Sequence, residues 1–317
     1  MSVCSCSVTL SNTGTPGCYS IQDVAKKLIM VPMQDSSGNL NGIDLSSIPT
    51  NSTILGYINN TDDKARWYPL PEMENVTNER GDPITEEFPS GNVYKVRNGT
   101  KTFTGQMIKQ GAEYAGQIES FGCEDMGAYI IDASGNVIGD KSTTGYLYPI
   151  RINTQTWDVR TQDTGDQSIA RILLTFQWNN AVQDSDIGML LASDFASDVD
   201  WLEYNGLIDL TGEVTTAPAS SGGNTTFTIE IQTIFGSVLN PKVITGLDTD
   251  PSTGDLDLYN ETTSSAIVPS DISENTAGNY TFTFADQTTS DELSVRIDSS
   301  TNGYDDTLLR AVSITAP

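Results

Sequence analysis

The sequence contains no histidine. That removes the commonest general base, the Ser–His and Cys–His nucleophile pairs, and the commonest transition-metal ligand. Cations are scarce too: 16 Lys and Arg stand against 42 Asp and Glu, a formal net charge of −26. Gripping nucleic acid needs a basic face, and no stretch supplies one. Such acidity suits solubility, cation binding or a surface that repels polyanions. The only cysteines are Cys4, Cys6, Cys18 and Cys123. Zinc sites favour pairs two to four residues apart, a pattern this set fits poorly, so free thiols are the expectation. No run approaches 18 apolar residues, so no membrane-spanning helix is expected. MSVCSCSVTL at the start lacks the basic and apolar regions of a signal peptide. Long helical periodicities are few, while Gly, Asn, Ser and Thr are abundant, which points to a mainly β protein.

What is present is organised around residues 146–178. Tyr146, Tyr148, Ile150 and Ile152 alternate with polar positions, and so do Ile172, Leu174, Phe176 and Trp178. A period of two gives a strand one apolar face. The other face carries Arg151, Asn153 and Gln155, then Arg171, Thr175 and Gln177. The turn-rich residues 161–167 between them include Gly165, a candidate for positive φ. The spacing predicts a long antiparallel hairpin, of the kind that joins a barrel or an assembly. Its polar face is almost uncharged, and Arg151 and Arg171 are expected to pair with nearby carboxylates.

Other segments give coarser expectations. Residues 1–20 read as an extended arm. Ser20 is placed as the cap of a short helix over Ile21, Val24, Ala25 and Leu28, and Pro32 demotes the run 28–33 to an edge or bulge. The pattern D-x-S-G-N-x-x-G occurs at Asp35–Gly42 and again at Asp132–Gly139. It reads as a hairpin turn, with metal ligation by Asp35 or Asp132 the alternative. Residues 50–92 read as a long acidic loop with one sticky patch at Trp67–Pro71. A strand is expected at 93–96, partial helix within 102–121, and a capped helix near 187–195. Acidic residues cluster at Asp184, Asp186, Asp194, Asp198 and Asp200, and are read as a solvated face.

The texture changes near residue 205. From 201 onward 17 acidic residues face 3 basic ones, against 25 and 13 before. Short alternating runs at 227–231, 243–244, 256–258, 266–268, 280–284, 293–297 and 309–314 are the pattern of a seven-stranded sandwich. The domains are therefore placed at 1–205 and 206–317. Asp248–Asp257 resembles a calcium loop, but its Gly falls at position seven and no Glu at twelve, so a β-turn is expected. No catalytic, cofactor-binding or metal-ligating residue is assigned, and the chain is not expected to be an enzyme.

Two resemblances have residues under them. Residues 277–284 (AGNYTFTF) followed by 293–297 (LSVRI) resemble a bacterial or phage immunoglobulin-like module. The arm, the acidic loop at 50–92, the hairpin at 146–178 and the short helix near 187–195 together resemble a tail tube (major tail) protein of a tailed bacteriophage. That resemblance implies a tail-tube-like β-sandwich or barrel with one or two short helices, followed by an immunoglobulin-like β-sandwich. It further implies a structural virion protein, assembled in the host cytoplasm into stacked rings of six subunits that conduct DNA without binding it specifically. Its partners would be its own copies and other phage tail proteins. Alternatives are another head-surface or fibre-base virion part, a carbohydrate-binding adhesive module with Trp67, Tyr68, Trp157 or Trp201 as sugar platforms, and last a carboxylate-pair glycosidase.

Overall fold

The computed structural model describes residues 21–141, 143, 145–237, 239–297 and 303–317. The predicted arm, with Cys4, Cys6 and Cys18, lies outside them. The fold is mainly β, with 49% strand and 10% helix. The first part runs β1 (Ala25–Pro32), β2 (Ile43–Asp44), α1 (Asn51–Ile58), β3 (Tyr68–Pro69), β4 (Met73–Arg80), β5 (Ile84–Glu87), β6 (Val93–Arg97), β7 (Lys101–Ile108), α2 (Ala112–Glu119), β8 (Met126–Asp132), β9 (Val137–Asp140), β10 (Tyr146–Leu147), β11 (Ile150–Gln162), β12 (Arg171–Trp178) and β13 (Ile187–Leu190).

β11 organises these strands. Its first residues pair with β8, at Ile150↔Ala128 and Arg151↔Gly127. Its remainder pairs with β12, which continues through β7 to β4. One strand thus belongs to two sheets, which fold over each other. Between them lies a core that includes Leu28, Met30, Phe103, Met107, Ile130, Ile172, Leu174, Phe176 and Trp178. β1 and β8 are buried on both faces, because Ile29, Val31, Tyr129 and Ile131 point the other way. There they meet α1, Trp67, Phe195 and Trp201 in a second core.

The later part forms a sandwich. One sheet holds β14 (Ile208–Ser221), β15 (Asn224–Ser237), β16 (Asn240–Val243), β19 (Asp271–Thr276), β20 (Asn279–Ala285) and β22 (Tyr304–Asp305). The other holds β17 (Leu256–Asn260), β18 (Ser265–Ile267), β21 (Glu292–Ile297) and β23 (Ile314–Thr315). Their core is drawn wholly from residues 210–316. The two sandwiches meet at a polar node where Arg66 pairs with Asp305 and Gln117 donates to Asp209.

Several expectations are corrected. Ile21 and Val24 are 69% and 60% exposed, and the chain enters β1 at Ala25 without a helix. Pro32 ends β1, a strand paired on both sides rather than an edge. The acidic loop at 50–92 is largely structured: α1 is capped by Thr50, and β4 joins the main sheet. Of the partial helix expected within 102–121, Ala112–Glu119 is helix, whereas Lys101–Ile108 is strand with Phe103, Gly105 and Met107 facing inward. The helix near 187–195 is absent. Ile187–Leu190 is β13, paired with β9, with short 3-10 turns on either side. Tyr146 and Tyr148 do not share the buried face: Tyr146 lies in the β2–β10 pair and stacks on Tyr148. Pro149 separates this pair from β11. Gly165 is absent from the positive-φ residues; Asp166 and Gln167 make the turn. Leu309 sits in a helical turn at Thr307–Arg310 instead of a strand.

Candidate functional site

The predicted hairpin forms one side of a four-stranded sheet, β11–β12–β7–β4, whose two faces differ sharply. Inward, Phe176 stacks on Phe103 at 5.1 Å and on Trp157 at 5.3 Å. Trp178 meets Phe176 edge-on at 4.9 Å, and its indole N–H donates to Asn78 Oδ1 at 2.9 Å. The Trp157 N–H donates to the Ile118 carbonyl at 2.9 Å, tying α2 over the sheet.

Outward, hydroxyls and amides predominate, with a few charged side chains among them. Thr77, Thr104, Thr175 and Asp158 stand in one row across the four strands. Glu79, Thr102, Gln177 and Asn153 form a second row, and Glu74, Gln106, Leu173 and Arg160 a third. The hydroxyls of Thr77 and Thr104 share a 2.5 Å hydrogen bond. The charges are mostly paired: Arg160 with Asp158 at 2.8 Å and Lys26 with Glu74 at 3.2 Å. Arg171 differs from expectation. It donates to the Gln106 side-chain oxygen at 2.8 Å, not to a carboxylate, and its Nε is buried without a partner among the described residues. Arg151 does find a carboxylate, with two bonds to Asp125 at 3.0 and 2.6 Å, but outside this face.

Three extra residues bulge β11 between Asn153 and Asp158. This flips its side-chain phase, so that Ile152 but then Trp157 and Val159 point inward. In the bulge the Gln177 N–H donates to Thr156 Oγ1 at 2.8 Å. Both lateral edges of the sheet are open among the described residues: β4 pairs only with β7, and β11 beyond Arg151 only with β12. An open edge offers a row of unpaired N–H and C=O groups.

At the end of β4 the chain leaves the body as the hairpin β5–β6. Residues 81–98 are all exposed, Val93 and Val96 by 60% and 61%. At its neck the Gly81 N–H donates to the Thr100 carbonyl at 2.9 Å, and a side chain at Gly99 would overlap the Gly81 carbonyl.

The other candidate residues are structural. Trp67 and Trp201 are buried, Trp67 stacking on Tyr57 at 4.6 Å, so neither offers a face to a sugar. Tyr68 and Trp157 are half-buried against Phe121. Asp35 and Asp132 make identical turns. Each accepts from the backbone N–H groups two and four residues on and from the Asn side-chain amide. Asp250 accepts from Ser252 and Thr253, and Asp255 from the Asp248 N–H, so that loop is a turn closed by its own carboxylates. Asp184 is held by Arg80, which lowers its pKa, while Asp186 and Asp194 cap turns. Cys123 is a free, exposed thiol. No group of three or more metal-ligating side chains occurs among the described residues, and no helix among them is long and apolar enough to cross a membrane.

The hydroxyl and amide residues on β11 and β12 were legible in the sequence. Their partners on β4 and β7 were not, because MENVTNER has no apolar alternation and Gly105 interrupts the inward face of β7. The strand expected at 93–96 is β6, while its partner β5 lies inside the segment that reads as a loop. No protein-family model matches this chain, and neither does any curated protein.

Proposed function

We propose that this chain is a structural subunit that assembles side by side into rings, and that stacked rings form the tail tube of a bacteriophage, a conduit for DNA. The observation that carries the reading is one sheet with two open edges and a wet, nearly neutral outer face. Pairing the β4 edge of one copy with the β11 edge of the next satisfies both rows of backbone groups and continues the sheet around a ring. Six copies of four strands make about 24 strands. At ~4.8 Å spacing and ~40° tilt these enclose a circle roughly 50 Å across between backbones, wide enough for a duplex.

The lining would then be these three rows, in which Thr77, Thr104, Thr175, Gln106 and Gln177 stand among the charges of Glu74, Glu79, Asp158 and Arg160. Such a lining hydrates a passing polyanion without gripping it, and the excess of carboxylates elsewhere repels phosphate. Negative-stain electron microscopy of the purified protein tests the reading. Annular particles or tubes are expected. Monomers at every concentration, or rings whose channel is lined by another surface, would overturn it.

A further inference from the structure

Arg80 and Lys101 are direct partners at the end of the β4–β7 ladder. Both keep the inward phase of their strands, Arg80 after Val76 and Asn78, Lys101 before Phe103. Like charges set directly opposite on a sheet repel. One carboxylate answers the pair. Asp184 accepts from Arg80 Nε at 3.2 Å and from Nη2 at 2.9 Å, while Arg80 Nη1 donates to the Gly99 carbonyl at 3.0 Å. Lys101 makes no ion pair among the described residues and feels Asp184 only at longer range. Burial lowers its pKa, as expected of a cation short of counter-charge.

Two adjoining cavities open beside this pair. The inner one, of about 10 Å³, is water-sized and is walled by Lys101, Ile150, Trp178 and Ile187. The outer one, of about 430 Å³, reaches the neck of the β5–β6 hairpin through Arg97 and Asn98. Arg80, Asn180, Gln183 and Asp184 line both. The charged linings are therefore three cations, Arg80, Arg97 and Lys101, against Asp184 alone. That leaves a local net charge of +2 in a chain of net −26. The hairpin acids Asp82, Glu86 and Glu87 line neither cavity, and Asp186 turns to accept from the Gln183 N–H at 3.3 Å. Arg97 is exposed and makes no ion pair among the described residues.

We propose that the outer cavity binds a small doubly charged oxyanion of the phosphate or sulfate class, held by Arg97, Lys101 and the remaining N–H groups of Arg80. The charge left over after Asp184 matches a dianion, and guanidinium and ammonium donors suit its oxygens. The inner cavity admits no more than a water, so the ion sits outside it, between the neck and the body. There it links Arg97 on β6 to Lys101 on β7 and fastens an otherwise exposed hairpin. Every lining residue comes from one chain, so the site stands apart from ring formation.

The test is calorimetric titration of the full chain with inorganic phosphate, at about pH 8, where the dianion predominates, and at an ionic strength fixed with chloride. Saturable binding near one ion per chain is expected. Arg97→Gln and Lys101→Gln should each weaken it by on the order of tenfold or more. Arg97 is exposed, so its variant should melt where the wild type does in phosphate-free buffer. Amide exchange within 81–98 should slow when phosphate is added to the wild type and stay unchanged in the Arg97→Gln variant. A folded wild-type chain that shows no saturable binding overturns the site. Binding that both variants retain places the ion elsewhere and overturns it equally. A chain that binds phosphate in this way but never forms rings keeps the site while the assembly reading falls.

Discussion

Trp178 does two jobs at once: its ring closes an aromatic cluster with Phe103 and Phe176, and its N–H satisfies Asn78. Trp178→Ala should therefore cost about 3–5 kcal/mol, since both the cavity and an unpaired amide remain. Urea unfolding measures this, and a loss under about 1 kcal/mol would contradict the packing described. Buried tyrosines set the alkaline limit. Burial pushes Tyr68, Tyr204 and Tyr280 up to about 12, while an unfolded tyrosine ionises near 10. Between those values the unfolded state has released protons that the folded state retains, so stability falls as pH rises from about 10 to 12. Lys27 acts in the opposite sense. Burial lowers its pKa, so the folded form gives up its proton first and gains stability as pH approaches the unfolded value. One lysine opposes several tyrosines, so melting temperature should drop above pH 10, and Tyr280→Phe should make the drop shallower.

At the scale of elements, the hairpin neck is the most restrictive point. Gly99→Ala should force the Gly81 carbonyl aside and loosen β5–β6. Faster amide exchange and protease cleavage within 81–98 are expected, with the midpoint of global unfolding little changed, because the hairpin buries nothing in the body. The two D-x-S-G-N turns show what was readable from sequence: a short polar pattern whose bonds are all local gives its structure away wherever it occurs. The strands that read wrongly share the opposite property. β4 is an edge whose inward residues, Val76, Asn78 and Arg80, are held by tertiary partners, so its sequence lacks the alternation of a half-buried strand. In 187–195 the stripe of Ile187, Leu190 and Leu191 fits a helix. Pairing of Gly188 with Gly139 on β9 decides for strand. Local pattern gave way to tertiary pairing in both cases.

For the whole molecule, the polar sheet and both of its open edges lie before residue 206. A chain ending there should still form annular particles by electron microscopy. A charge added to the outer face tests the channel. Thr175→Lys should fold normally, because Thr175 is half-buried among polar neighbours rather than in the core, yet assembled particles should retain duplex DNA in a low-salt gel shift and release it as salt rises. Particles that bind no more DNA than wild type would mean that Thr175 does not face the channel.

β11 changes sheets without a break in the chain. Its consequence is mechanical. A pull along the axis of β11 is carried by covalent backbone from one sheet into the other, and its ladder hydrogen bonds are loaded in shear, many at a time. A chain that changed sheets through a loop would let them open one by one. The bulge at residues 154–156 then acts as the compliant section of that member, the place where extension is taken up before any strand pair parts.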